Sequence, residues 1–394
     1  TNALAGEVAG VRVINNSGQP GTTGTVRIRG FGSVNGNRNP LYVVDGVPYS
    51  GRIESINPSD IASASVLKDA TATAIYGARG ANGVILITTK MAKKGESYIE
   101  VETKTGVNLS LLPRNQTIKS PEEYIGLSWE AMYNKGVILA DANPVNYANT
   151  NLFSGSGIAP DYNIWNVNNV SELIDPTTKQ VRAGVTRKYN PENWEDYAFQ
   201  NSIRTEANLS MGGGSEKSKY FSSIGYLNDQ GYSINSSYER ITARLSLVQD
   251  VKEWLTASTN IGYTMSTTNQ GGQSEDSGSV FWFVDNIPSI YPLFLRDANG
   301  NIPNNIYGSP AYDYGETGRG FGGLTNSIAD AHYTLEQAKR QEISTSSSFN
   351  IKFTKDLTFE TKIGTQYWER KFDNMNNKYY GPSAGTKGSI YKTD

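Results

Sequence analysis

Seven long segments of this chain alternate apolar and polar side chains with a period of two. In residues 97–111, Ile99 and Val101 fall on one side, whereas Glu100 and Glu102 fall on the other. A period of two belongs to the β-strand, in which successive side chains point to opposite faces. The sequence therefore predicts long amphipathic strands as the dominant element.

The predicted strands are long for a soluble protein. They cover about 97–111, 201–212, 218–228, 238–249, 254–267, 339–353 and 357–372. Soluble strands usually have about five or six residues, and about 9 to 11 residues cross a bilayer at a tilt. The apolar faces could meet in the interior of a soluble sandwich or face lipid in a barrel. The length of the segments favours the barrel.

The connections between these strands are unequal in length. Tight turns near 212–217, 250–254 and 354–356 alternate with a longer connection at 228–237 and with very long loops at about 113–200 and 269–337. An up-and-down trace places all tight turns at one end, as in outer-membrane barrels with short periplasmic turns and long extracellular loops. We therefore expect residues 95–394 to form the N-terminal part of a transmembrane antiparallel β-barrel.

The first long loop contains one clear helix start. Ser120 suits an N-cap, Pro121 the first helical position and Glu123 the third position of a capping box. We interpret this segment as a helix within a loop and not as a domain.

Residues 24–90 have a different pattern, with short apolar runs between glycine-rich turns. The runs at 26–29, 41–44, 61–67 and 84–89 predict strands, and a small-residue helix is expected after Asp69. This mixture indicates a separate α+β unit.

Five motifs in this unit carry a family resemblance. They are Gly18-Gln19-Pro20-Gly21, Val26-Arg27-Ile28-Arg29-Gly30, Pro40-Leu41-Tyr42-Val43-Val44-Asp45-Gly46-Val47-Pro48, Val66-Leu67-Lys68-Asp69-Ala70 and Ile75-Tyr76-Gly77-Ala78-Arg79-Gly80-Ala81-Asn82-Gly83-Val84. In this order they resemble the plug domain of the SusC/RagA family of TonB-dependent outer-membrane transporters. The resemblance implies a plug domain at 1–94 inside a barrel of about 22 strands, of which about seven are expected here.

The resemblance also implies a function. We expect TonB-dependent import of a nutrient across the cell outer membrane, with an oligosaccharide as cargo and a SusD-like surface lipoprotein as cap. The TonB-ExbB-ExbD complex would act through a segment upstream of Thr1, and the chain would end in an outer loop at Asp394. An oligopeptide importer of the same family and a non-transporting binding or adhesion receptor are the alternatives.

The plug carries arginines that could bind acids of the barrel wall, because a guanidinium matches a carboxylate bidentately. Ion pairs inside the plug are the alternative. The candidate plug-barrel residues are Arg27, Arg29, Arg79, Glu100, Glu102, Glu206 and Glu360.

The second long loop is rich in aromatic residues among glycine, asparagine and aspartate. Flat rings cover the apolar faces of sugars, so these residues are candidates for binding a substrate or partner protein. Alternatively they pack the loop against itself. The candidates are Phe281, Trp282, Phe283, Tyr291, Tyr307, Tyr312, Tyr314 and Phe321.

Composition excludes several other functions. The chain has no cysteine, one histidine and a net charge of -2, so it offers no thiolate chemistry and no basic excess for nucleic acid. His332 is the single histidine, so a Ser-His-Asp triad would have to use it. We therefore expect no enzyme activity, no cofactor and no metal site.

Overall fold

The computed structural model describes most of the chain. Residues 10–15, 17–22, 24–28, 30, 38–68, 75–91, 95, 97–110, 114, 116–271, 279–378 and 387–393 are described. Arg29 and most of the helix expected after Asp69 lie outside these ranges. Within them, no helix is both long and apolar enough to cross a membrane.

The described part of the N-terminal unit, called the plug below, contains six short strands. β1 (Val11–Ile14) pairs with β2 (Thr25–Ile28), and a mixed sheet has the order β4-β3-β6-β5. Its strands are β3 (Leu41–Val44), β4 (Val47–Tyr49), β5 (Ile61–Leu67) and β6 (Val84–Thr89). β6 lies in the middle, parallel to β3 and antiparallel to β5, and its apolar run is largely buried.

Two plug strands were not expected from the sequence. β1 is short, and β4 contains Pro48, which is depleted in strands because it cannot donate a ladder hydrogen bond. A tight hairpin creates β4: Asp45 and Gly46 both have positive φ, 50° and 86°, as a type I′ turn requires. The Asp-Gly turn therefore returns the chain antiparallel to β3.

The rest of the chain is built on one antiparallel sheet of eight strands in sequential order, β7 to β14. The strands are β7 (Tyr98–Asn108), β8 (Ser202–Gly214), β9 (Ser218–Gln230), β10 (Ser236–Lys252), β11 (Leu255–Gln270), β12 (Leu335–Lys352), β13 (Thr358–Asn376) and β14 (Ser389–Thr393). Sequence alternation indicated seven of these segments and missed the short β14. In the described residues the sheet is open, with β7 and β14 at its edges.

The two faces of this sheet differ as the alternation predicts. Ile99, Leu245 and Ile261 are on one face with exposed fractions of 74%, 38% and 41%. The polar residues between them point to the other face, where Arg240, Thr242 and others are buried against the plug. A soluble sandwich would bury the apolar face, so the structure has the arrangement expected of a membrane wall.

The connections have the predicted asymmetry. Hairpins join β8 to β9, β10 to β11 and β12 to β13 within a few residues, whereas residues 109–201, 231–235, 271–334 and 377–388 connect strands at the opposite end. The two longest connections lie together at that end.

These two long connections form one folded body, called the loop unit below and defined as residues 116–201 and 279–334. Its helices are α1 (Pro121–Ile138), α2 (Pro144–Asn151), α3 (Val170–Leu173), α4 (Trp194–Ala198), α5 (Val280–Asn286) and α6 (Ser327–Tyr333). The helix expected within the first connection is present as α1, and it packs with other helices into one folded body. Ser120 caps α1 as predicted, because its Oγ accepts from the Glu123 N–H at 3.3 Å.

Two apolar clusters hold the loop unit together. Trp129 and Trp165 of the first connection are buried with Ile290 of the second. In the second cluster, Trp194 of the first connection packs with Phe283 of the second. Because each cluster takes residues from both connections, the loops stabilise each other. Sequence periodicity does not predict these clusters, because many of their residues lie in irregular segments.

We expect Trp129→Ala to loosen the loop unit. Trp129 is 1% exposed in α1, and truncating a buried tryptophan to alanine costs about 3–5 kcal/mol. Limited trypsin digestion of the intact protein in detergent, followed by mass spectrometry, should show faster cleavage within residues 116–201. Leu127→Ala is the matched control, because Leu127 lies on the same helix and is 48% exposed. Equal digestion of both variants would contradict the buried cluster.

Candidate functional site

The interface between the plug and the polar face of the sheet is the candidate site. The central plug segment is residues 52–60, called the strap below, with 3-10 turns at Ile53–Ser55 and Pro58–Asp60. Asn57 caps the second turn, because its Oδ1 accepts from the Ser59 N–H at 3.1 Å. These short turns leave backbone carbonyls directed at the sheet.

Two arginines of β10 bind the plug by its backbone carbonyls. Arg240 donates to the Glu54 carbonyl at 2.6 Å. Arg244 donates to the carbonyls of Asp60 at 3.5 Å and Lys90 at 3.3 Å, and also to the Thr89 hydroxyl. Both arginines lie on the polar face because they are an even number of residues apart in one strand.

Arg244 also interacts with two carboxyl groups of the plug. Its Nη2 lies 3.6 Å from the Asp45 carboxylate. Burial raises the pKa of Asp60, and the nearby Arg244 charge and a Ser223 hydrogen bond oppose that shift. The guanidinium is thus the positive centre of a mostly neutral, hydrogen-bonded contact.

Side-chain amides and hydroxyls hold the middle of the strap. The Asn57 amide donates to Asn208 Oδ1 at 2.7 Å and to Thr242 Oγ1 at 3.3 Å. Asn208 in turn donates to Ser59 Oγ at 3.1 Å, and Ser59 donates to Glu102 Oε2 at 3.0 Å. The strap is therefore tied to β7, β8 and β10 together.

A buried carboxylate on β12 completes the interface. Glu342 is 3% exposed and accepts from Ser55 Oγ at 3.1 Å, from the Tyr49 hydroxyl, and from Arg340 Nη2 at 3.0 Å. Burial raises the pKa of Tyr49, and the Glu342 charge raises it further. Tyr49 therefore stays a hydrogen-bond donor, and Glu342 has partners for both of its oxygens.

Two glycines of the sheet allow the plug to approach. A Cβ at Gly225 would meet the Asn57 amide and would lie 2.6 Å from Thr242 Oγ1. A Cβ at Gly364 would lie 3.2 Å from the Val47 Cβ. Glycine inside a strand often marks a close approach by another part of the backbone, which is its role at both positions.

The predicted plug-barrel residues differ in their partners and in their exposure. Arg27 donates to Asn39 Oδ1 at 2.7 Å and to the Arg38 carbonyl at 3.1 Å, so its partners are in the plug. Arg29 lies outside the described residues, and Arg79 is exposed. Glu102 does contact the plug, through Ser59.

The other predicted acids have partners in the sheet or lie in solvent. Glu206 is buried, 3.6 Å from Arg204 on the same strand. Glu360 pairs with Lys362 at 3.2 Å, and Glu100 is exposed. The arginines that bind across the interface are thus those of the sheet, Arg240 and Arg244, and not the predicted plug arginine Arg27.

Sequence reasoning could have found these arginines. Arg240 and Arg244 both occupy the polar side of a clearly alternating strand, where a cation must face the plug rather than lipid. Glu342 likewise lies on the polar side of a strand, β12. Their partners could not be found, because backbone carbonyls have no sequence signature.

The predicted aromatic residues are mostly structural. Phe283, Tyr291 and Tyr314 are buried in the loop unit, at 0%, 3% and 2% exposure. Tyr312 and Phe321 are half-buried and pack on neighbouring rings. Phe281, Trp282 and Tyr307 are the exposed members of the set.

Comparison with known proteins agrees with this architecture. Residues 1–84 match the family model of the TonB-dependent Receptor Plug Domain. The chain is 31% identical over 411 residues to TonB-dependent receptor SusC of Bacteroides thetaiotaomicron, covering 97% of this chain and 35% of that protein. A TonB-dependent receptor of Formosa agariphila is 29% identical over 376 residues, covering 95% of this chain and 30% of that protein.

The fold is also similar to a solved structure. The RagAB peptide importer in the 'closed-closed' state superposes with a TM-score of 0.72 and 26% identity, over 97% of this chain and 40% of that chain. The chain spans about a third of the length of the curated relatives it matches. A plug on the polar face of a long-stranded antiparallel sheet defines the TonB-dependent receptors as a class. The chain belongs to that class, and within it to the SusC/RagA family.

We expect Gly225→Ala to push the strap away from the sheet. The new methyl group would overlap the Asn57 amide and the Thr242 hydroxyl, and overpacking of this kind costs about 1–3 kcal/mol. Hydrogen-deuterium exchange of the detergent-solubilised protein should then quicken at residues 53–60. Gly106→Ala is the control, since a Cβ at Gly106 meets nothing within 4 Å. Unchanged exchange in the Gly225 variant would mean that the strap does not rest on β9.

Proposed function

We propose that this protein is an active importer of the outer membrane, in which the plug closes a lumen and is displaced to admit a nutrient. The observation that carries the proposal is the two-faced sheet. Its polar face holds the plug by hydrogen bonds and its apolar face is exposed. A wall of this kind separates lipid from a polar passage.

The eight-stranded sheet is, in this proposal, a section of a larger closed barrel. Barrel width grows with strand number, and plugged outer-membrane transporters have about 22 strands. Eight strands alone would leave no room for the plug inside. The loop unit then lies on the extracellular side, and the hairpins on the periplasmic side.

Gating follows from the chemistry of the interface. The plug is held mainly by neutral carbonyls, amides and hydroxyls, whose individual net contributions are about 0.5–1.5 kcal/mol. Such contacts can be replaced by water one at a time when the TonB-ExbB-ExbD complex pulls on the plug. No bond of the cargo is broken in this scheme.

The cargo we propose is an oligosaccharide, as expected from the resemblance of the plug motifs to the SusC/RagA family. The similarity to the RagAB peptide importer supports an oligopeptide as the second candidate. In either case a SusD-like lipoprotein would cap the extracellular opening. Phe281, Trp282 and Tyr307 are candidates for its docking surface, because they remain exposed on the loop unit.

A disulfide between plug and sheet should block import. The chain has no cysteine, so an introduced pair would be the only thiols. A Cβ at Gly364 would lie 3.2 Å from the Val47 Cβ, and the two Cβ atoms of a disulfide are about 3.8 Å apart. We expect oxidised Val47→Cys/Gly364→Cys protein to be inactive and active again after reduction.

A deletion strain, first screened on polysaccharide and peptide sources for a growth defect, provides the assay for this disulfide. The two single cysteine variants are the controls and should restore growth with or without oxidant. Full growth with crosslinked protein would show that the plug need not move away from β13. Absence of any growth defect in the deletion strain would contradict import itself.

A charge in the middle of the apolar face should impair membrane insertion. Ile261 is central in β11 and exposed, and an arginine at the bilayer midplane costs about 2–4 kcal/mol, falling to about 0–1 kcal/mol near the interface. Ile261→Arg should therefore lower the amount of folded protein in outer-membrane fractions. Val251→Arg, beside a hairpin and 47% exposed, should leave it nearly unchanged. Equal yields would argue against a lipid-facing β11.

A further inference from the structure

One strip of β13 stands out on the plug side of the sheet. Gly364 and Gln366 contact the plug at Val47 and Ser50, which fixes the direction of the even-numbered side chains. The pairing of β12 with β13 is continuous, so Trp368, Arg370 and Phe372 lie on the same face, between the plug contacts and the loop-unit end of the strand. These three residues are called the inner strip below.

Two guanidinium groups of this face lie over aromatic rings. Arg370 Cζ is 3.9 Å from the centroid of the Phe372 ring, and Arg340 Cζ is 4.5 Å from that of Trp368. A cation over an aromatic face is attracted by the ring, and a guanidinium carries its N–H donors at its edge. The Phe372 ring therefore helps to hold the Arg370 guanidinium in place, with N–H donors that a ligand can reach.

The charges around the inner strip do not balance. Arg340 is directly opposite Arg370 in the ladder, and like charges at such positions repel. Arg340 pairs with Glu342 at 3.0 Å, and the plug's Arg52 pairs with Glu54 at 3.2 Å. Among the residues that the structure describes, Arg370 has no hydrogen-bond or ion-pair partner. Arg370 is thus a guanidinium without a direct partner on the route above the plug, and Glu336 is the acid further along the same face of β12.

We propose that the inner strip binds an acidic sugar unit, through a carboxylate or sulfate on Arg370 and an apolar sugar face beside Trp368. A carboxylate or sulfate matches the free fork of a guanidinium. The Trp368 side chain is 50% exposed and offers the flat apolar surface that sugar rings use. This inference rests on the proposed importer function and narrows its cargo to acidic oligosaccharides.

Position supports this assignment. Cargo entering past the loop unit would meet the inner strip before it reaches the plug at Ser50, which donates to Gln366 of β13. A neutral sugar would leave the Arg340 and Arg370 charges opposed, whereas an anion relieves them. An acidic peptide could supply the anion, but it would not use the apolar Trp368 surface in the same way.

The test compares Arg370→Gln with Lys371→Gln. Lys371 is the next residue, points to the other face and pairs with Glu369 at 3.0 Å, so its replacement removes the same charge away from the inner strip. Detergent-purified protein is applied to an array carrying galacturonate and sulfated-galactose oligomers, their neutral counterparts and glutamate-rich peptides. We expect wild type and Lys371→Gln to bind acidic oligosaccharides, and Arg370→Gln to bind them at least about tenfold more weakly.

Two further readouts separate binding from folding. Arg370→Lys keeps the charge without the planar fork, so it should bind with intermediate affinity, and added salt should weaken wild-type binding. Equal heat-modifiability on gels would show that all variants are folded.

Several results would overturn the proposal. These are binding of neutral oligosaccharides only, binding confined to acidic peptides, unchanged binding of acidic oligosaccharides by Arg370→Gln, or no binding to any array member. The growth screen of the deletion strain distinguishes this failure from failure of the importer function. A growth defect on a neutral polysaccharide would support the import function and contradict acidic-sugar binding by the inner strip. No growth defect on any source would contradict both proposals.

Discussion

The contact of Arg240 and Arg244 with backbone carbonyls of the plug is the interaction on which the rest of the arrangement depends. Both guanidinium groups are carried by one strand, and they reach plug segments that are distant in sequence, at Glu54, Asp60 and Lys90. A carbonyl cannot be protonated and carries no full charge. Separating a guanidinium from a carbonyl leaves one charged group without its partner, whereas separating a buried ion pair leaves two.

This choice of partners suits a plug that must be both held and removable. Most of the remaining contacts join amides, hydroxyls and carbonyls, as between Asn57 and Asn208. Glu342 is the exception, because it is buried and shared by Tyr49, Ser55 and Arg340. Arg340 lies on the same strand as Glu342, so this carboxylate keeps its counter-ion when the plug leaves. Glu342 therefore stays paired with Arg340 when the plug is removed.

The loop unit shows how long connections can be ordered without regular structure. Its clusters combine tryptophans and aliphatic residues from two segments that are far apart in sequence. Arg319 is buried among them and donates to the carbonyls of Phe321, Gly322, Thr325 and Asp313. One side chain thus satisfies backbone groups of an irregular segment that has no ladder partner. The aromatic residues that first suggested a binding surface mainly fill this interior.

The sequence by itself determined the long strands, their two faces and the unequal connections. A period of two is a local property, and every strand expresses it without reference to its neighbours. It also determined the Asp45-Gly46 turn and the Ser120 cap, which depend on adjacent residues only. Only the tertiary structure decided that Arg27 binds inside the plug, that Arg244 binds carbonyls, and that two loops share one core. The physical reason is that these contacts join residues tens or hundreds of positions apart, and many use backbone atoms that every residue type possesses.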